Sequence, residues 1–311
     1  MDEIRQNKRQ LDRSPPSNLI QGNDRYTAIG NIQCHPVPAI PWVEFCPAKE
    51  NSNTMFYKKA ILHFTQQVKC HDCRFISRCL PPDLVEFQLD MFNTIVRQVP
   101  PISGLQYLYC RGDKFTNLYM VRSGSVKRIH CSQDGDEKIV RFYFSGEIIG
   151  IDAIANGHYN NSVVTLETTT LCKLDYYKLS KLGEKIPELT KRLLKKASQE
   201  LIEEHDIRST ITTNGSVMRI AIFIANLSTK FRINGYSPFE FMLPMSRWDI
   251  GSYLGLANET VSRSFKTLVN EGLIEVAGRL VKISDLDNLK KYGGQGDING
   301  GMESPAIVAN A

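Results

Sequence analysis

The pattern of hydrophobic and polar residues divides this chain into a strand-rich part and a helical part. Between Leu105 and Leu174, short stretches of β-branched and aromatic residues are separated by turns that contain glycine, such as RGD, RSGS and QDGD. Evenly spaced strands with such turns are typical of an antiparallel β-barrel or roll. The pattern therefore predicts an α+β fold with an antiparallel β-barrel or roll in a domain of residues 61–177.

A long helical stretch follows, from Lys178 to Thr213. Its apolar residues recur at three- and four-residue steps and form one narrow stripe with a single acidic interruption. The positions of the stripe are Ile186, Leu189, Leu193, Ala197, Leu201, Glu204 and Ile207. A narrow stripe favours pairing with a second copy of the chain, and packing on the roll is the alternative. We expect a dimer interface here, with facing Glu204 side chains opposing association.

The segment from residue 214 to residue 292 contains three predicted helices and a hairpin. VMRIAIFIANLSTKF predicts a buried helix, and LIEVAGRLVKI predicts a tight hairpin around Ala277 and Gly278. Between them lie two helices around a glycine turn, the first with Ser246 as N-cap and Asp249 three residues later. A helix pair followed by a hairpin predicts a winged helix-turn-helix, which binds DNA.

The second helix of that pair begins with the residues NETVSR. Glu259, Ser262 and Arg263 share one face near its N-terminal end, where a recognition helix meets base edges. Arg263 can donate to O6 and N7 of a guanine, and Glu259 can accept from a cytosine amino group. Ser262 can contact a base beside them. We expect these three residues to read double-stranded DNA.

The length of 311 residues exceeds what one domain usually contains. Residues 1–60 are rich in polar residues, and we expect an N-terminal extension that is partly disordered. Residues 293–311 are rich in glycine, and we expect a disordered tail. Apolar runs are too short for a transmembrane helix, and the polar start does not resemble a secretory signal, which predicts a cytoplasmic protein. The net charge of only +5 means that any contact with DNA must come from locally placed groups.

Eight cysteines are unusual for a chain in a reducing compartment. Cys70, Cys73 and Cys79 form a C-x2-C-x5-C motif, whose spacing lets three sulfurs approach one metal centre. On spacing alone, zinc and an iron–sulfur cluster are equally consistent, and the fourth ligand is undetermined. The absence of a flavin or nicotinamide motif argues against a redox enzyme. The neighbouring basic residues that could offset the negative charge of a thiolate centre are Lys69, Arg74 and Arg78.

Five stretches within residues 64–285 carry a family resemblance: KCHDCRFISRC, LYMVRSGSVK, GDEKIVRFYFSGEIIGIDAIANGHY, TLETTTLC and SRWDIGSYLGLANETVSRSF. They closely resemble the CRP/FNR transcription regulators, in particular the oxygen-responsive FNR branch. The resemblance implies a sensor roll of the cyclic-nucleotide-binding type, a dimerisation helix over residues 178–213 and a C-terminal winged helix-turn-helix. It also implies one [4Fe–4S] cluster per subunit, with the ligands Cys70, Cys73, Cys79 and Cys172.

The same resemblance implies a global regulator of the aerobic and anaerobic switch that activates or represses genes and is not an enzyme. A homodimer formed when the cluster is intact would bind palindromes similar to TTGAT-N4-ATCAA through the three recognition-helix residues. The alternative is a regulator of the same fold with structural zinc or another effector. Contacts with RNA polymerase are implied for Ser123, Gly135, Asp136, Thr168 and Ser237.

Three departures from the family pattern bear on these implications. The stretch NNS at residues 160–162 lacks the arginine that binds the cyclic phosphate in the cyclic-nucleotide branch, so cyclic AMP is not expected as an effector. Arg74 and Arg78 replace small or apolar residues, and charge beside the sulfurs can alter the potential and access of a cluster. Ala257 stands where a serine or threonine usually caps the recognition helix, a loss of about 1 kcal/mol unless Asn258 substitutes.

Overall fold

The structure of this chain, a computed structural model, describes residues 69–80, 84–132 and 136–294. The expectations for residues 1–60 and for most of the glycine-rich tail lie outside this part of the chain, as does Gly135. Over the described ranges, no helix has both the length and the apolar composition needed to cross a membrane.

Two four-stranded antiparallel sheets form the predicted β-roll, with strand orders β1-β8-β3-β6 and β2-β7-β4-β5. Side chains of these strands, such as Leu118, Val121 and Leu171, are almost completely buried in one core. The expectation of an antiparallel roll is therefore confirmed. The strands are β1 (Val96–Ile102), β2 (Tyr107–Tyr109), β3 (Asn117–Ser123), β4 (Val126–Cys131), β5 (Glu137–Tyr143), β6 (Ile148–Ile149), β7 (Ser162–Thr165) and β8 (Thr169–Asp175).

The segment that contains three of the predicted cysteine ligands packs against the roll. It forms two short 3-10 helices, Cys70–Asp72 and Ile76–Arg78, and is followed by α1 (Glu86–Asn93). Leu80, which follows the second 3-10 helix, and Phe92 of α1 are both fully buried in the core of the roll. Burial of these apolar side chains fixes the cysteine-bearing segment, residues 70–79, against the roll.

The helical stretch after the roll differs from the prediction. It consists of α2 (Tyr176–Lys185) and α3 (Pro187–Thr213), which are separated at Ile186. Proline lacks a backbone N–H and clashes with the preceding turn, so Pro187 begins a new helix and does not continue α2. Ile186 and Leu189 are 2% and 1% exposed and belong to the core of the roll. The predicted single helix is therefore wrong at this point.

The C-terminal part is a winged helix-turn-helix with its own apolar core. Left-handed glycines stand where the chain turns sharply, Gly255 between the paired helices and Gly278 in the hairpin. The predicted hairpin and helix pair are confirmed. The elements are α4 (Ser216–Ile233), β9 (Glu240–Met242), α5 (Arg247–Leu254), α6 (Asn258–Asn270), β10 (Ile274–Ala277), β11 (Leu280–Ile283) and α7 (Leu286–Tyr292), with the strands in the order β10-β11-β9.

The roll contacts the first helix of the helix-turn-helix through β4 and β5. Lys127 Nζ lies 2.7 Å from Asp249 Oδ1, and the backbone N–H of Ile139 donates to Ser252 Oγ at 2.9 Å. Ile139 and Phe142 of β5 also belong to the apolar core of the DNA-binding part. The sheet and α5 are thus held together by apolar packing and by specific polar contacts.

Candidate metal centre and nucleic-acid interface

The four predicted cysteine ligands meet at one place between the segment 70–79 and the roll. Cys172 lies on β8, opposite Gln98 of β1 and Met120 of β3. All four cysteine side chains line one small cavity of about 30 Å³, and three of them also line an adjoining cleft of about 250 Å³. The fold therefore brings Cys172 to the C-x2-C-x5-C motif. The four, each a free cysteine, are Cys70, Cys73, Cys79 and Cys172.

Local hydrogen bonds explain how the segment presents its sulfurs. The backbone N–H of Cys73 donates to the carbonyl of Cys70 at 3.2 Å, and that of Cys79 donates to the carbonyl of Phe75 at 2.9 Å. The N–H of Cys70 donates to Asn93 Oδ1 at 3.0 Å, which ties the first cysteine to the end of α1. From α3, Arg192 donates to the carbonyls of Ser77 and Cys79 at 2.9 and 3.4 Å.

Burial and mutual repulsion favour the protonated thiols at this site. Burial raises the pKa of Cys70 to about 12, and the neighbouring Cys172 and Cys73 add to the rise while Arg122 opposes it. Burial also raises the pKa of Cys172 to about 11, again against the effect of Arg122. The pKa of Cys79 is raised further still, chiefly by burial. A bound metal would therefore have to displace protons from these thiols.

The donor set of the small cavity suits a thiolate-bound metal group. Apart from the four thiols and Arg122, its lining is apolar and includes Phe92 and Met120. Soft thiolate ligands are those of iron–sulfur clusters and of structural zinc. Within the described ranges, no three His, Cys, Asp or Glu side chains converge closely enough to hold a single ion. The thiols thus surround a shared space and do not form a closed mononuclear site.

Of the three basic residues expected near the sulfurs, Lys69 lines the cleft, whereas Arg74 and Arg78 line neither the cleft nor the small cavity. Arg122, which sequence reasoning missed, lines both the cleft and the small cavity. Arg74 is directed elsewhere: its Nη2 donates to the carbonyl of Asn234 at 2.9 Å, and its guanidinium lies over the Tyr236 ring. No motif or spacing in the sequence marks Arg122, because only the sheet places it beside Cys172.

Arg78 is also turned away from the sulfurs. Its side chain packs against Gly146, where an added Cβ would approach it to 3.4 Å. Partial burial lowers the pKa of Arg78, and the nearby Glu147 and Glu203 oppose that shift. The sequence expectation that Arg74 and Arg78 lie beside the sulfurs and offset their charge is therefore corrected, because packing directs both side chains toward other elements.

The recognition helix α6 presents the expected residues to solvent. Val261, Phe265 and Leu268 are buried in the core of the domain. Glu259, Ser262 and Arg263 are exposed on the opposite face. This arrangement leaves the three polar side chains available to a DNA groove.

A few side-chain contacts determine how α6 is held. Arg263 approaches Thr260 Oγ1 at 3.5 Å, and Ser262 Oγ donates to the carbonyl of Asn258 at 3.1 Å. Ala257 makes no side-chain capping hydrogen bond, as the sequence indicated. The guanidinium of Arg247, a residue missed at the sequence level, lies 3.3 Å above the Phe265 ring and so braces α6 from α5.

The apolar stripe predicted on α3 is partly buried against its own chain and partly exposed. Leu193 is half-buried against the core of the roll, and Ile207 is half-buried against the core of the DNA-binding part. The apolar side chains that remain exposed are Leu194 (70%), Leu201 (68%) and Ile202 (50%). Of the predicted interface positions, Leu201 is the one exposed apolar residue; Ile186 and Leu189 are corrected to core residues because the roll covers them.

Buried arginines join the roll to α3. Arg128 on β4 pairs with Glu200 at 2.8 Å and with Glu204, and Arg141 on β5 pairs with Glu203 at 2.9 Å. Glu204 therefore has an ion-pair partner within its own chain, because the sheet lies close enough for Arg128 to reach it. Its place opposite a second copy stays a prediction.

Three of the residues implied to contact RNA polymerase line one cleft of about 450 Å³. They are Ser123, Thr168 and Ser237, which are exposed and come from the roll and from the DNA-binding part. Asp136 is exposed immediately before β5. Ser123, Thr168 and Ser237 are distant in sequence but line the same cleft, whereas Asp136 is not part of its lining.

Comparison with known proteins identifies the family of this chain. A profile of the cyclic nucleotide-binding domain matches residues 103–185, and one of the Crp-like helix-turn-helix domain matches residues 218–292. The fumarate nitrate reduction regulatory protein of Klebsiella oxytoca is 36% identical over 228 residues, which are 73% of this chain and 91% of the relative. The corresponding protein of Escherichia coli strain K12 is 35% identical over 227 residues, with the same coverage. The chain belongs to the CRP/FNR family.

Membership of this family makes the chain a DNA-binding transcription regulator and not an enzyme. Solved structures agree with the fold. FixK2 from Bradyrhizobium japonicum gives a TM-score of 0.56 at 21% identity and covers 64% of this chain and 97% of its own. The c-di-GMP responsive global regulator CLP of Xanthomonas campestris gives 0.53 at 22% identity and covers 65% and 100%. The predicted CRP/FNR fold is confirmed.

Proposed function

We propose that this regulator controls the switch between aerobic and anaerobic growth through an oxygen-labile [4Fe–4S] cluster, one per subunit. Its ligands are Cys70, Cys73, Cys79 and Cys172. The observation that carries the proposal is the cavity that these four thiols line together. The name of the relatives, fumarate and nitrate reduction regulatory protein, supports the same role. Soft thiolates in apolar surroundings suit such a cluster.

The residues around the thiols fit an anionic group. Arg122 lines both cavities and lowers the pKa of Cys70 and of Cys172 against the effect of burial. Lys69 adds a second cation at the cleft, so that two cations stand against the one carboxylate of its lining, Asp90. When bound, the cluster would supply an oxygen-labile cross-link between the segment 70–79 and β8. The cations make the charge of that group tolerable in a partly buried place.

Hydrogen bonds from Arg192 connect the segment 70–79 to α3. Arg192 donates to two carbonyls of the segment, so a shift of the segment moves its anchor on α3. We infer that the exposed apolar side chains Leu194, Leu201 and Ile202 pair with the same helix of a second copy. A homodimer would thus form when the segment is held in place, and monomers would prevail when it is released.

A homodimer with one α6 per half-site accounts for the proposed target. Glu259, Ser262 and Arg263 would read the half-sites of palindromes similar to TTGAT-N4-ATCAA. A monomer would read one half-site and lose most of the affinity. Dimerisation would therefore control whether the regulator binds the sites at which it activates or represses genes.

We further propose that RNA polymerase binds at the cleft lined by Ser123, Thr168 and Ser237, with Asp136 and Gly135 as a separate contact. We also propose that cyclic AMP is not an effector. What supports the second statement is that the stretch NNS at residues 160–162 has no arginine that could pair with a cyclic phosphate. A phosphate without a cationic partner would bind poorly in a partly buried place.

The test is anaerobic reconstitution of the full chain with iron and sulfide. Wild type is expected to turn brown, to contain iron and acid-labile sulfide, and to bind the palindrome tightly. Cys172→Ala is expected to lose the chromophore and tight binding, because one of four ligands is missing. Cys131→Ala is the matched control, since Cys131 lies on β4 away from the cavity.

Two outcomes would contradict the proposal. Normal iron, sulfide and DNA binding in Cys172→Ala would remove Cys172 from the ligand set. A colourless wild type with one tightly bound zinc per chain would replace the cluster by a structural metal, because zinc thiolate sites have no visible colour.

A further inference from the structure

The side chain of Asn93 occupies a particular place beside the four thiols. Asn93 is the last residue of α1 and lines the same cleft as Cys70, Cys73 and Cys172. We propose that its amide nitrogen donates a hydrogen bond to a sulfur of the metal group bound there, a thiolate or an inorganic sulfide. Asn93 would then be a positioning residue that helps the chain to retain its metal group. This inference rests on the proposed function.

The orientation of the Asn93 amide is fixed by its backbone partner. Its Oδ1 accepts the N–H of Cys70 at 3.0 Å. A backbone N–H is a donor, so only the oxygen of the amide can face it. The two hydrogens on Nδ2 are therefore available to another acceptor next to Cys70.

No acceptor for those hydrogens is present in the described part of the chain. Asn93 Nδ2 is shielded from solvent and has no hydrogen-bond partner there. Buried donors in folded proteins are nearly always paired, so an exception at a ligand cavity indicates a partner that binds. An anionic sulfur in the cleft would be such a partner, and it would match the cations Arg122 and Lys69 on the same wall.

A hydrogen bond at this position has a measurable consequence. Donors to the sulfurs of a cluster stabilise its charge, and partners beyond the ligands typically change metal affinity by about 10- to 100-fold. The Asn93 donor should therefore affect how firmly iron is held. Its removal should have little effect on the protein without metal, where the donor is unpaired.

The experiment compares three variants of the full chain after anaerobic reconstitution. Asn93→Asp keeps an oxygen for the Cys70 N–H but removes the donor, and Asn93→Ala removes both groups. Gln98→Glu is the control for charge, since Gln98 lines the same cleft and the change adds a carboxylate while leaving Asn93 intact. The readouts are the concentration of a competing chelator that removes half of the iron and the melting temperature of the metal-free protein.

We expect both Asn93 variants to release half of their iron at roughly tenfold lower chelator concentration. Gln98→Glu should shift that concentration clearly less, and metal-free Asn93→Asp should melt like wild type. Retention of iron by Asn93→Asp at the wild-type concentration would overturn the inference. An equal shift in Gln98→Glu would also overturn it, because charge alone would then explain the effect.

Three further results are decisive. A lower melting temperature of metal-free Asn93→Asp would show that a protein group already uses the donor, and this would overturn the inference while leaving the cluster proposal intact. A wild-type chain that takes up no iron and sulfide would overturn both. Normal loading of wild type with unchanged Asn93 variants would overturn the inference alone.

Discussion

Glu204 illustrates how the surroundings of one side chain determine its role. In the sequence it interrupts an apolar stripe, which suggests repulsion between two facing glutamates. In the structure it pairs with the buried Arg128, which also binds Glu200 and lies 3.7 Å from Asp152. Its charge is thus part of an ion-pair cluster inside one subunit. At the scale of the residue, Glu204 stabilises the docking of α3 on the roll.

Replacement of Glu204 by alanine should therefore destabilise the subunit. Arg128 would lose one of its carboxylate partners while remaining buried, at a cost of about 2 kcal/mol in the free energy of unfolding. Urea denaturation of the metal-free protein measures this change. Gln199→Ala, at an exposed position of the same helix, should change it little. Unchanged stability together with more dimer in aerobic sedimentation would assign Glu204 to the dimer seam instead.

At the scale of the element, the first helix of the helix-turn-helix is held at its N-terminus by Asp249. Its carboxylate accepts from the backbone N–H of Ser246 at 2.8 Å and from Lys127 of the roll at 2.7 Å. Burial disfavours the charged carboxylate, but the hydrogen bonds from Lys127 and Ser246 outweigh it and lower the pKa of Asp249. One side chain thus caps α5 and fixes it to the sheet.

The lowered pKa of Asp249 predicts a pH-dependent contribution to stability. The charged form is favoured in the folded state, so its contribution is complete above the ordinary aspartate pKa of about 3.9 and is lost as the pH falls through the lower folded value. The substitution Asp249→Asn keeps a side-chain oxygen for the cap but removes the charge that faces Lys127. The free energy of unfolding of this variant should thus lie about 2 kcal/mol below that of wild type at neutral pH.

The difference between wild type and Asp249→Asn should shrink below about pH 4. Urea denaturation at a series of pH values gives this comparison. Asp206→Asn serves as the control, since Asp206 is exposed on α3. A difference that stays constant down to about pH 3 would show that Lys127 does not recognise the charge of Asp249.

At the scale of the whole molecule, the docking of α3 decides which residues can meet a second copy. The roll covers Ile186 and Leu189, whereas Leu194, Leu201 and Ile202 remain exposed. Arg192, on the same helix, contacts the cysteine-bearing segment. One helix therefore connects the candidate metal centre, the core of the roll and the candidate dimer surface.

Two leucines on this helix should give opposite results. Leu201→Ala should leave the free energy of unfolding of the metal-free protein nearly unchanged and should weaken the dimer of the reconstituted protein. Leu189→Ala should lower the free energy of unfolding by about 2–5 kcal/mol, because it leaves a cavity in the core. Anaerobic sedimentation and urea denaturation separate the two effects. An undiminished dimer in Leu201→Ala would exclude this face of α3 as the seam.

The sequence by itself determined the features that depend on neighbours a few positions apart. Stretches of β-branched and aromatic residues between glycine turns predict the strands of the roll. The cap at Ser246 and the turn at Gly278 define the winged helix-turn-helix, and helical spacing places Glu259 and Arg263 on one exposed face. The thiol motif was visible for the same reason, since its spacing is local. A resemblance to a family added Cys172, which local spacing could not select.

Only the tertiary structure decided which distant elements meet. It placed Asn93 and Arg122 on the wall of the cleft beside the thiols, directed Arg74 to the carbonyl of Asn234, and buried Ile186 in the core. An apolar stripe has the same period whether it faces a sheet or a second helix, so periodicity cannot distinguish the two. An arginine near a sulfur in sequence can likewise turn away from it, because side-chain direction is set by the packing of whole elements.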